Sequence, residues 1–319
     1  MPCPCFPSIA PHILFDTRAK SFSISLRFAL KSCYMKTITT VRGLRISLGK
    51  SALAPIGFVP TMGALHEGHL SLVRNAIAVC PVVVVSIYVN PTQFNDKNDL
   101  KNYPRTPGSD LAMLAGVMRS NDIVFMPQDK DIYPKEDNRR FSFGNLDNVM
   151  EALHRPGHFN GVAQVVSRLF EIVKPGKAYF GQKDFQQLAV IRELVRQTGS
   201  RVEIIGNPVI READGLAMSS RNRLLDPELR KKAGVIFAAL SDAALLIDKN
   251  DVPAINEHVR HKIESAGAFR VEYFEIADDL ELKPLQSKSE MKAGRKYYAC
   301  VAVRAGSIRL IDNVEVPVM

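Results

Sequence analysis

The sequence predicts an α/β fold in which a parallel sheet is followed by a smaller α+β domain. Two observations carry this prediction. From Met35 to about residue 209, short β-branched runs alternate with segments whose apolar residues recur at helical spacing, as in βαβ units. Near the end of the chain, three strand-like runs follow one another without a helical segment between them. A chain of 319 residues, 46% of them hydrophobic, is long enough to form both parts.

The first part of the chain contains five predicted strands and four predicted helices. The run PVVVVSIYV, residues 81–89, is short and β-branched, so we interpret it as a buried parallel strand. Asp184 is the expected N-cap of the last of these helices, and Gly199 lies just beyond its end. The strands are predicted at 55–60, 82–89, 122–127, 177–182 and 201–208, and the helices at 66–80, 110–121, 161–175 and 184–199. This alternation indicates a Rossmann-like sheet, in which ligands bind beyond the carboxyl ends of the strands.

The second part has a different pattern. A long helix is predicted over 226–247, capped by Asp226 and Pro227, and another over 253–266. Ala305 and Gly306 form a hairpin-type link between the last two strands. The three strands are predicted at 271–278, 296–304 and 307–314. We therefore predict a Rossmann-like domain over 35–209 and a C-terminal α+β domain over 210–319.

The first 34 residues differ from the rest in composition. They are rich in Ser, Pro and basic residues and contain a single acid, Asp16. That composition is typical of a transit peptide, and it also fits upstream sequence translated from an early start codon. A second start, Met35, lies just before the organised chain begins. We therefore interpret 1–34 as an extension outside the fold.

Charge, hydropathy and cysteine usage exclude several classes of protein. The net charge of +9 is spread among acidic residues without a basic block, so a nucleic-acid partner is not expected. No apolar run is long enough for a membrane-spanning helix, so no membrane partner is expected either. The five cysteines are odd in number and dispersed, which favours a reducing compartment. We predict a cytoplasmic location, or an organellar one if residues 1–34 are a transit peptide.

The run LHEGHL places His66 and His69 three residues apart, after a predicted strand and at the start of a predicted helix. A helical zinc pair has its histidines four apart, so this spacing does not fit a metalloprotease. Free backbone N–H groups at a helix start attract anions, and two imidazoles on one face can both donate to a phosphate. The pair predicts a phosphate site, although ordinary histidines at a helix start remain an alternative for the motif alone.

A second motif, MSSR at residues 218–221, accompanies the histidine pair. An H-x-G-H motif with an M-S-S-type segment resembles the nucleotidylyltransferase and class I aminoacyl-tRNA synthetase superfamily. Within it, residues 35 to about 314 resemble the pantoate–β-alanine ligase family. Six sequence blocks carry the resemblance: PTMGALHEGHLSL (60–72), SIYVNPTQF (86–94), YPRT (103–106), RPGHFNGV (155–162), YFGQKDFQQ (179–187) and READGLAMSSRN (211–222).

The resemblance implies an enzyme that joins pantoate to β-alanine through a pantoyl adenylate, with release of AMP and pyrophosphate. It implies catalytic roles for His66, His69 and Lys183, of which His69 acts as acid. The implied ATP-binding residues are Met62, Gly63, His66, His69, Gly181, Lys183, Asp184, Ile210, Met218, Ser219, Ser220 and Arg221. The implied pantoate-binding residues are Asn90, Gln93 and Gln187.

Mg²⁺ is expected to accompany ATP, bound largely by phosphates and water. Asp110 is the one carboxylate that we consider as a protein ligand, and the metal site stays unassigned. The family resemblance also suggests a homodimer.

Two other functions stay open as alternatives. Another H-x-G-H nucleotidylyltransferase would act on a phosphorylated substrate and should carry extra basic residues near NPTQF, a segment that is polar but neutral here. A nucleotide-binding scaffold without activity should lack one of the phosphate-contacting residues, and none is missing.

Overall fold

The computed structural model of the chain describes residues 35–49, 55–95 and 97–318. Within them, six parallel strands form one sheet in the order β1-β4-β3-β2-β5-β6. The strands are β1 (Lys36–Ile38), β2 (Ile56–Thr61), β3 (Val82–Ile87), β4 (Ile123–Phe125), β5 (Lys177–Gly181) and β6 (Glu203–Asn207). The predicted extension, residues 1–34, lies outside the described residues. The predicted parallel sheet is confirmed.

Helices cover both faces of the parallel sheet. On β3, Val82 and Val84 pack into one apolar cluster, whereas Val83 and Val85 pack into another on the opposite face. This alternation is the reason that the strand is apolar at four successive positions, Val82 to Val85. The helices are α1 (Val41–Gly49), α2 (Glu67–Val79), α3 (Lys97–Asn102), α4 (Pro107–Ala115), α5 (Asp129–Ile132), α6 (Glu151–His154), α7 (His158–Val173) and α8 (Phe185–Thr198).

A second, antiparallel sheet forms the C-terminal part, in the order β7-β8-β9. One of its faces packs on two helices through residues such as Phe274 and Val301. The other face, which includes Tyr273 and Cys300, packs into the same cluster as α7 and α8. The elements are α9 (Pro227–Lys232), α10 (Val235–Leu246), α11 (Val252–Glu264), β7 (Phe269–Asp278), β8 (Tyr297–Ala305) and β9 (Ile308–Val316). The described residues from Met35 onward form one compact unit, so the boundary near residue 209 stays a prediction.

The prediction of one long helix over 226–247 is wrong in one respect. The structure has two helices there, α9 and α10, with an interruption between them. A Cβ at Gly234 would lie 2.6 Å from the carbonyl oxygen of Asp214, so this glycine lets the Asp214 loop pack against the chain at the interruption. The predicted cap is confirmed, since the Asp226 carboxylate accepts a hydrogen bond from the N–H of Glu228 at 2.9 Å.

The last hairpin turns at residues 306–307, with Gly306 at φ +58°, one residue later than predicted.

Smaller elements were not predicted from the sequence. These are the edge strand β1 and the helices α1, α3, α5 and α6, all of them short. The helix predicted over 110–121 is also shorter and begins earlier, at Pro107. In the described part of the chain, no helix is both long and apolar enough to cross a membrane.

The order of the parallel strands fixes where a ligand can bind. β3 lies on one side of β2, and β5 lies on its other side after a crossover from β4. The loops that leave β2 and β5 therefore diverge at the carboxyl edge of the sheet, where open α/β sheets have their binding crevice. The His66 and Lys183 motifs follow these two strands.

Candidate active site

The loop between β2 and α2 is held by a buried carboxylate. Asp110, at the start of α4, accepts hydrogen bonds from the N–H groups of Ala64 at 3.0 Å and Leu65 at 2.8 Å. The hydroxyl of Thr106 donates to the same carboxylate at 3.0 Å. Asp110 is 1% exposed, so its oxygens serve the protein backbone. The structure thus gives Asp110 a role in shaping the histidine loop and leaves it no open side for a metal ion.

Both histidines are oriented by backbone N–H groups at the start of α2. The Nδ1 atom of His66, the N-cap, accepts from the N–H of Gly68 at 3.1 Å. The Nδ1 atom of His69 accepts in turn from the N–H of His66 at 3.3 Å. Because Nδ1 is an acceptor in each neutral ring, the proton lies on Nε2. A Cβ at Gly68 would lie 2.8 Å from the ring of His66, so the glycine leaves room for that ring.

The electrostatic surroundings keep both rings neutral. Burial, followed by the charges of Lys183 and Arg223, lowers the pKa of His66 to about 4. Burial and the neighbouring His66 ring lower the pKa of His69 to about 3. The ring centroids are 4.1 Å apart. At neutral pH each histidine therefore offers one Nε2–H donor without carrying a charge.

The loop after β5 supplies the positive charge. The side chain of Lys183 is 18% exposed, and its Nζ lies 3.4 Å from the Asp184 carboxylate. Asp184 occupies the N-cap position of α8, as predicted, but its side chain makes no capping hydrogen bond. Its carboxylate faces Lys183 instead. The two residues thus form an ion pair beside the histidines.

The NPTQF segment orients one glutamine toward the same cleft. The Oε1 atom of Gln93 accepts from the Nδ2 of Asn90 at 3.2 Å, and its Nε2 lies 3.1 Å from the sulfur of Met62. Asn90 is 1% exposed, and its Oδ1 accepts from the hydroxyl of Tyr133 at 3.0 Å. These contacts make Asn90 a support for Gln93. Gln187, by contrast, lines the cleft and makes no side-chain hydrogen bond with the described residues.

The MSSR segment closes over the histidine loop. The hydroxyl of Ser220 donates to the carbonyl oxygen of Ala64 at 2.8 Å. Next to it, the guanidinium of Arg223 donates to the carbonyl oxygen of Leu65 at 3.1 Å. The two motifs, about 150 residues apart in sequence, are thus joined directly. Arg223 was not among the predicted residues.

The outer part of the MSSR segment has different contacts. The N–H of Met218 donates to the carbonyl oxygen of Ile210 at 2.9 Å. Arg221 pairs with Asp99 of α3 at 3.0 Å, and its guanidinium lies 5.7 Å from the ring centroid of Tyr103. Tyr103 lines the cleft and is 8% exposed. It belongs to the YPRT block, which was the one sequence signal that could have identified it.

A single cleft of about 220 Å³ brings together most of the predicted site residues. Gly63 and Asn90 do not line it and lie behind its wall. The predicted residues that line it are Met62, His66, His69, Gln93, Gly181, Lys183, Asp184, Gln187, Ile210, Met218, Ser219, Ser220 and Arg221. One wall of the cleft is apolar and consists of four residues of α7, Val162, Val165, Val166 and Leu169. These residues were not predicted as site residues, because their helical spacing is the same as that of core residues.

Metal ligation was tested on the same residues. Within residues 35–49, 55–95 and 97–318, no group of three or more His, Cys, Asp or Glu side chains is placed to hold a metal ion. In these residues no third His, Cys, Asp or Glu side chain joins the His66–His69 pair in such a group. The chemistry of the pair is that of neutral hydrogen-bond donors beside a lysine.

The fold and the site together define an α/β enzyme of the H-x-G-H nucleotidylyltransferase class, with histidine donors after β2, a lysine after β5 and an MSSR segment between them. A family model described as pantoate-beta-alanine ligase matches residues 34–315. The chain therefore belongs to the pantoate–β-alanine ligase family, as the sequence resemblance predicted. It is an enzyme that condenses pantoate with β-alanine in an ATP-dependent reaction.

Individual relatives agree with the family assignment. The chain is 48% identical over 282 residues to the pantothenate synthetase of Azobacteroides pseudotrichonymphae, a match that covers 88% of this chain and 99% of that protein. The pantothenate synthetase of Bacteroides thetaiotaomicron is 46% identical over 283 residues, with the same coverage.

Solved structures confirm the fold. The crystal structure of pantothenate synthetase from Thermus thermophilus matches with a TM-score of 0.80 and 43% identity, over 88% of this chain and 99% of that one. The pantoate-beta-alanine ligase of Francisella tularensis, complexed with beta-gamma ATP and beta-alanine, matches with a TM-score of 0.69 and 32% identity. That match covers 88% of this chain and 97% of the other.

Proposed function

We propose that the reaction proceeds in two steps in the cleft, through a pantoyl adenylate. The observation that carries the proposal is the convergence of His66, His69 and Lys183 on one cleft that Gln93 and Gln187 also line. Three donors for phosphate and two neutral amides for a hydroxy acid are thus adjacent.

In the first step, a carboxylate oxygen of pantoate attacks the α-phosphorus of ATP. The new P–O bond forms while the bond to the β-phosphate oxygen breaks, and pyrophosphate leaves. Negative charge grows on the phosphate oxygens, where fixed donors stabilise a transition state most. The Nε2–H groups of His66 and His69 donate to these oxygens, and Lys183 supplies the positive charge. His69 acts as a neutral donor, because its pKa of about 3 excludes a resident imidazolium in the free enzyme.

Pantoate occupies the end of the cleft between Gln93 and the α7 wall. Asn90 holds the Oε1 atom of Gln93, so the amide Nε2–H₂ is the group that is left to bind a substrate oxygen. Gln187 is uncharged as well, and neither side chain competes with the pantoate carboxylate for phosphorus. The apolar residues of α7 suit the methyl groups of pantoate.

The nucleotide is held between the two diverging loops. Met62, Gly63 and Gly181 lie on the sheet side, whereas Ile210 and the MSSR segment lie on the other. Ser220 bonds the segment to the histidine loop, so Ser219 and Arg221 are held near the phosphates. Asp184 belongs to the same site through its ion pair with Lys183.

Mg²⁺ would be held by the phosphate oxygens of ATP and by water. Asp110, the one carboxylate considered as a protein ligand, accepts hydrogen bonds from the backbone N–H groups of Ala64 and Leu65. When bound, the ion neutralises charge on the leaving pyrophosphate. In this proposal the protein groups that position the ATP phosphates are Lys183 and the two histidines.

In the second step, the amine of β-alanine attacks the carboxyl carbon of the adenylate. The C–N bond forms, the C–O bond to AMP breaks, and the nitrogen gives up a proton. Pyrophosphate has left by this point, so Lys183 has less phosphate charge to stabilise than it had in the first step.

Pyrophosphate release from ATP tests the proposal. With pantoate alone, the enzyme should release pyrophosphate and retain pantoyl adenylate. Added β-alanine should then yield pantothenate and AMP. A control with β-alanine and no pantoate should release nothing. Turnover of a phosphorylated substrate in place of pantoate would contradict the proposal and favour another nucleotidylyltransferase.

A homodimer in the cytoplasm is part of the same proposal. Its support is the family membership and the state of the cysteines, since Cys80 and Cys300 are both free and buried. Sedimentation equilibrium at micromolar concentration should give twice the chain mass of 35.4 kDa. A mass of one chain, 35.4 kDa, at every concentration measured would contradict the homodimer.

A further inference from the structure

Asn313, near the end of β9, contacts the loop that carries Lys183. Its Nδ2 group donates to the carbonyl oxygen of Gln182 at 2.9 Å and to that of Lys183 at 3.1 Å. Asn313 is 3% exposed. A side-chain amide has two N–H donors, so both are used on this loop. The contact spans 130 residues of sequence.

The two acceptors have a special position. The carbonyl of Gln182 belongs to the peptide group before the Cα of Lys183, and the carbonyl of Lys183 belongs to the peptide group after it. One amide therefore holds both peptide groups that flank this Cα. Because φ and ψ of Lys183 are rotations between these two groups, the contact restricts the direction in which the lysine side chain leaves the backbone.

Asn313 is itself held by the segment that leads to MSSR. Arg211 donates to the Asp312 carboxylate at 2.6 and 3.1 Å, and to the carbonyl oxygen of Asn313 at 3.0 Å. The N–H of Asn313 donates to the Asp312 carboxylate at 2.7 Å. The side chain of Asp312 is 1% exposed. Asn313 thus rests on a buried ion pair and cannot shift without breaking it.

We propose that Asn313 is a positioning residue for Lys183 in adenylate formation. Asn313 does not line the main cleft, so it acts through the lysine backbone. The inference rests on the proposed function in one respect, the role of Lys183 at the phosphates. The antiparallel sheet then contributes to catalysis by fixing the catalytic lysine of the parallel sheet.

A double-mutant cycle of Asn313→Ala and Lys183→Ala tests this, with single-turnover pyrophosphate release as the readout. In the otherwise unchanged enzyme, Asn313→Ala should slow the first step by roughly 10- to 100-fold, as expected for a displaced catalytic group. In the Lys183→Ala background the same change should cost less than about threefold, since no ammonium is left to position. Equal losses in the two backgrounds would overturn the proposal, and so would an unchanged rate in Asn313→Ala alone.

Two further variants separate positioning from stability. Asn256 of α11 donates a similar bond, from its Nδ2 to the carbonyl oxygen of Phe274 at 3.0 Å, away from the cleft. Asn256→Ala should lower the melting temperature without slowing either step. If Asn313→Ala does not fold, Asn313→Ser replaces it, because its shorter side chain keeps a polar group but does not reach both carbonyls. An unchanged rate of the first step in Lys183→Ala would refute the proposed function itself. That result differs from the two results that would overturn the proposal for Asn313.

Discussion

The two sides of the phosphate site are held in place by different parts of the molecule. On the histidine side, the rings of His66 and His69 bond to N–H groups two and three residues away, and the preceding loop bonds to Asp110. On the lysine side, the backbone of Lys183 bonds to Asn313 of the antiparallel sheet. The histidine rings are therefore oriented by neighbours within the parallel-sheet region, although Ser220 and Arg223 also donate to carbonyl oxygens of the preceding loop. The lysine side, by contrast, is complete only when both sheets have packed together.

This difference has a physical consequence. A substitution on the histidine side should disturb one loop and slow one half-reaction, the formation of the adenylate. A change in the cluster that supports Lys183 should weaken the contact between the sheets, and hence the stability of the whole unit.

Arg211→Ala should give the largest loss of stability, about 3–5 kcal/mol, because it leaves the buried Asp312 carboxylate without its bidentate partner. Urea unfolding at pH 7 measures this loss. Arg196→Ala is the matched control, since Arg196 pairs with Glu193 on the surface with a side chain that is 74% exposed. Its loss should stay below about 1 kcal/mol. Equal losses in the two variants would show that the lysine side does not depend on the buried pair.

Lys183→Ala should slow adenylate formation by about 10²–10³-fold, because it removes a fixed charge from developing phosphate charge. The attack of β-alanine on preformed adenylate should be slowed less. Single-turnover rates of the two steps, measured separately, decide this. Lys177, at the other end of β5, pairs with Glu203 on the surface, and Lys177→Ala should leave both rates unchanged. Equal slowing of the two steps by Lys183→Ala would assign the lysine to the adenylate in general.

The same contrast explains what the sequence could predict. β3, the Asp226 cap and the position of His66 and His69 at the start of a helix depend on neighbours within a few residues, so their patterns indicated these structural features correctly. The break at Gly234 depends on Asp214, twenty residues earlier, whose backbone approaches the glycine. Asn90 was predicted as a pantoate ligand, but its hydrogen bond with Tyr133 is a tertiary contact that the NPTQF motif does not indicate.

The residues that support the site, and that no motif indicated, also depend on contacts between distant parts of the chain. Asn313 and Arg223 act on loops that are distant in sequence, and a lone Asn or Arg in a strand or loop has no pattern to mark it. Sequence blocks could thus predict residues that line the cleft, whereas the residues that hold them in place had no such pattern.

Asp110→Asn should disturb the histidine side alone. The amide retains one acceptor where the carboxylate served two backbone N–H groups, so we expect a stability loss of about 1–3 kcal/mol and a first step slowed roughly tenfold. Asp122 is a control for burial and backbone contacts, because it is 0% exposed and also accepts from two backbone N–H groups, at 2.9 and 2.8 Å. It lies at the amino end of β4, away from the cleft, and it also pairs with Arg119 at 2.9 Å. Asp122→Asn should therefore lose at least as much stability without slowing the first step, and parallel slowing in both variants would reduce Asp110 to a general structural role.

The smallest expected effect is that of pH on the rate, and it distinguishes neutral from charged histidines. With pKa values of about 4 for His66 and about 3 for His69, neither ring of the free enzyme gains a proton between pH 8 and pH 6. The pantoate-dependent first step, measured under conditions limited by enzyme–ATP encounter, should therefore show no histidine titration in this range. A rate that rises as the pH falls through 6.5, and loses that rise in His69→Gln, would show that an imidazolium is required.

Stability should depend on pH where the rate does not. Since folding lowers both histidine pKa values below the unfolded value of 6.5, the unfolded chain binds more protons between pH 6.5 and about 4. The free energy of unfolding should accordingly fall as the pH falls through that window and stay level above it. Burial likewise lowers the pKa of His158 to about 4, so three histidines contribute to the decline. His66→Gln removes one of the three and should make the decline shallower, as urea unfolding at pH 7, 6 and 5 would show. An unchanged slope in His66→Gln would mean that folding does not lower the pKa of His66, and the ring would then gain its proton near pH 6.5 in the folded enzyme as well.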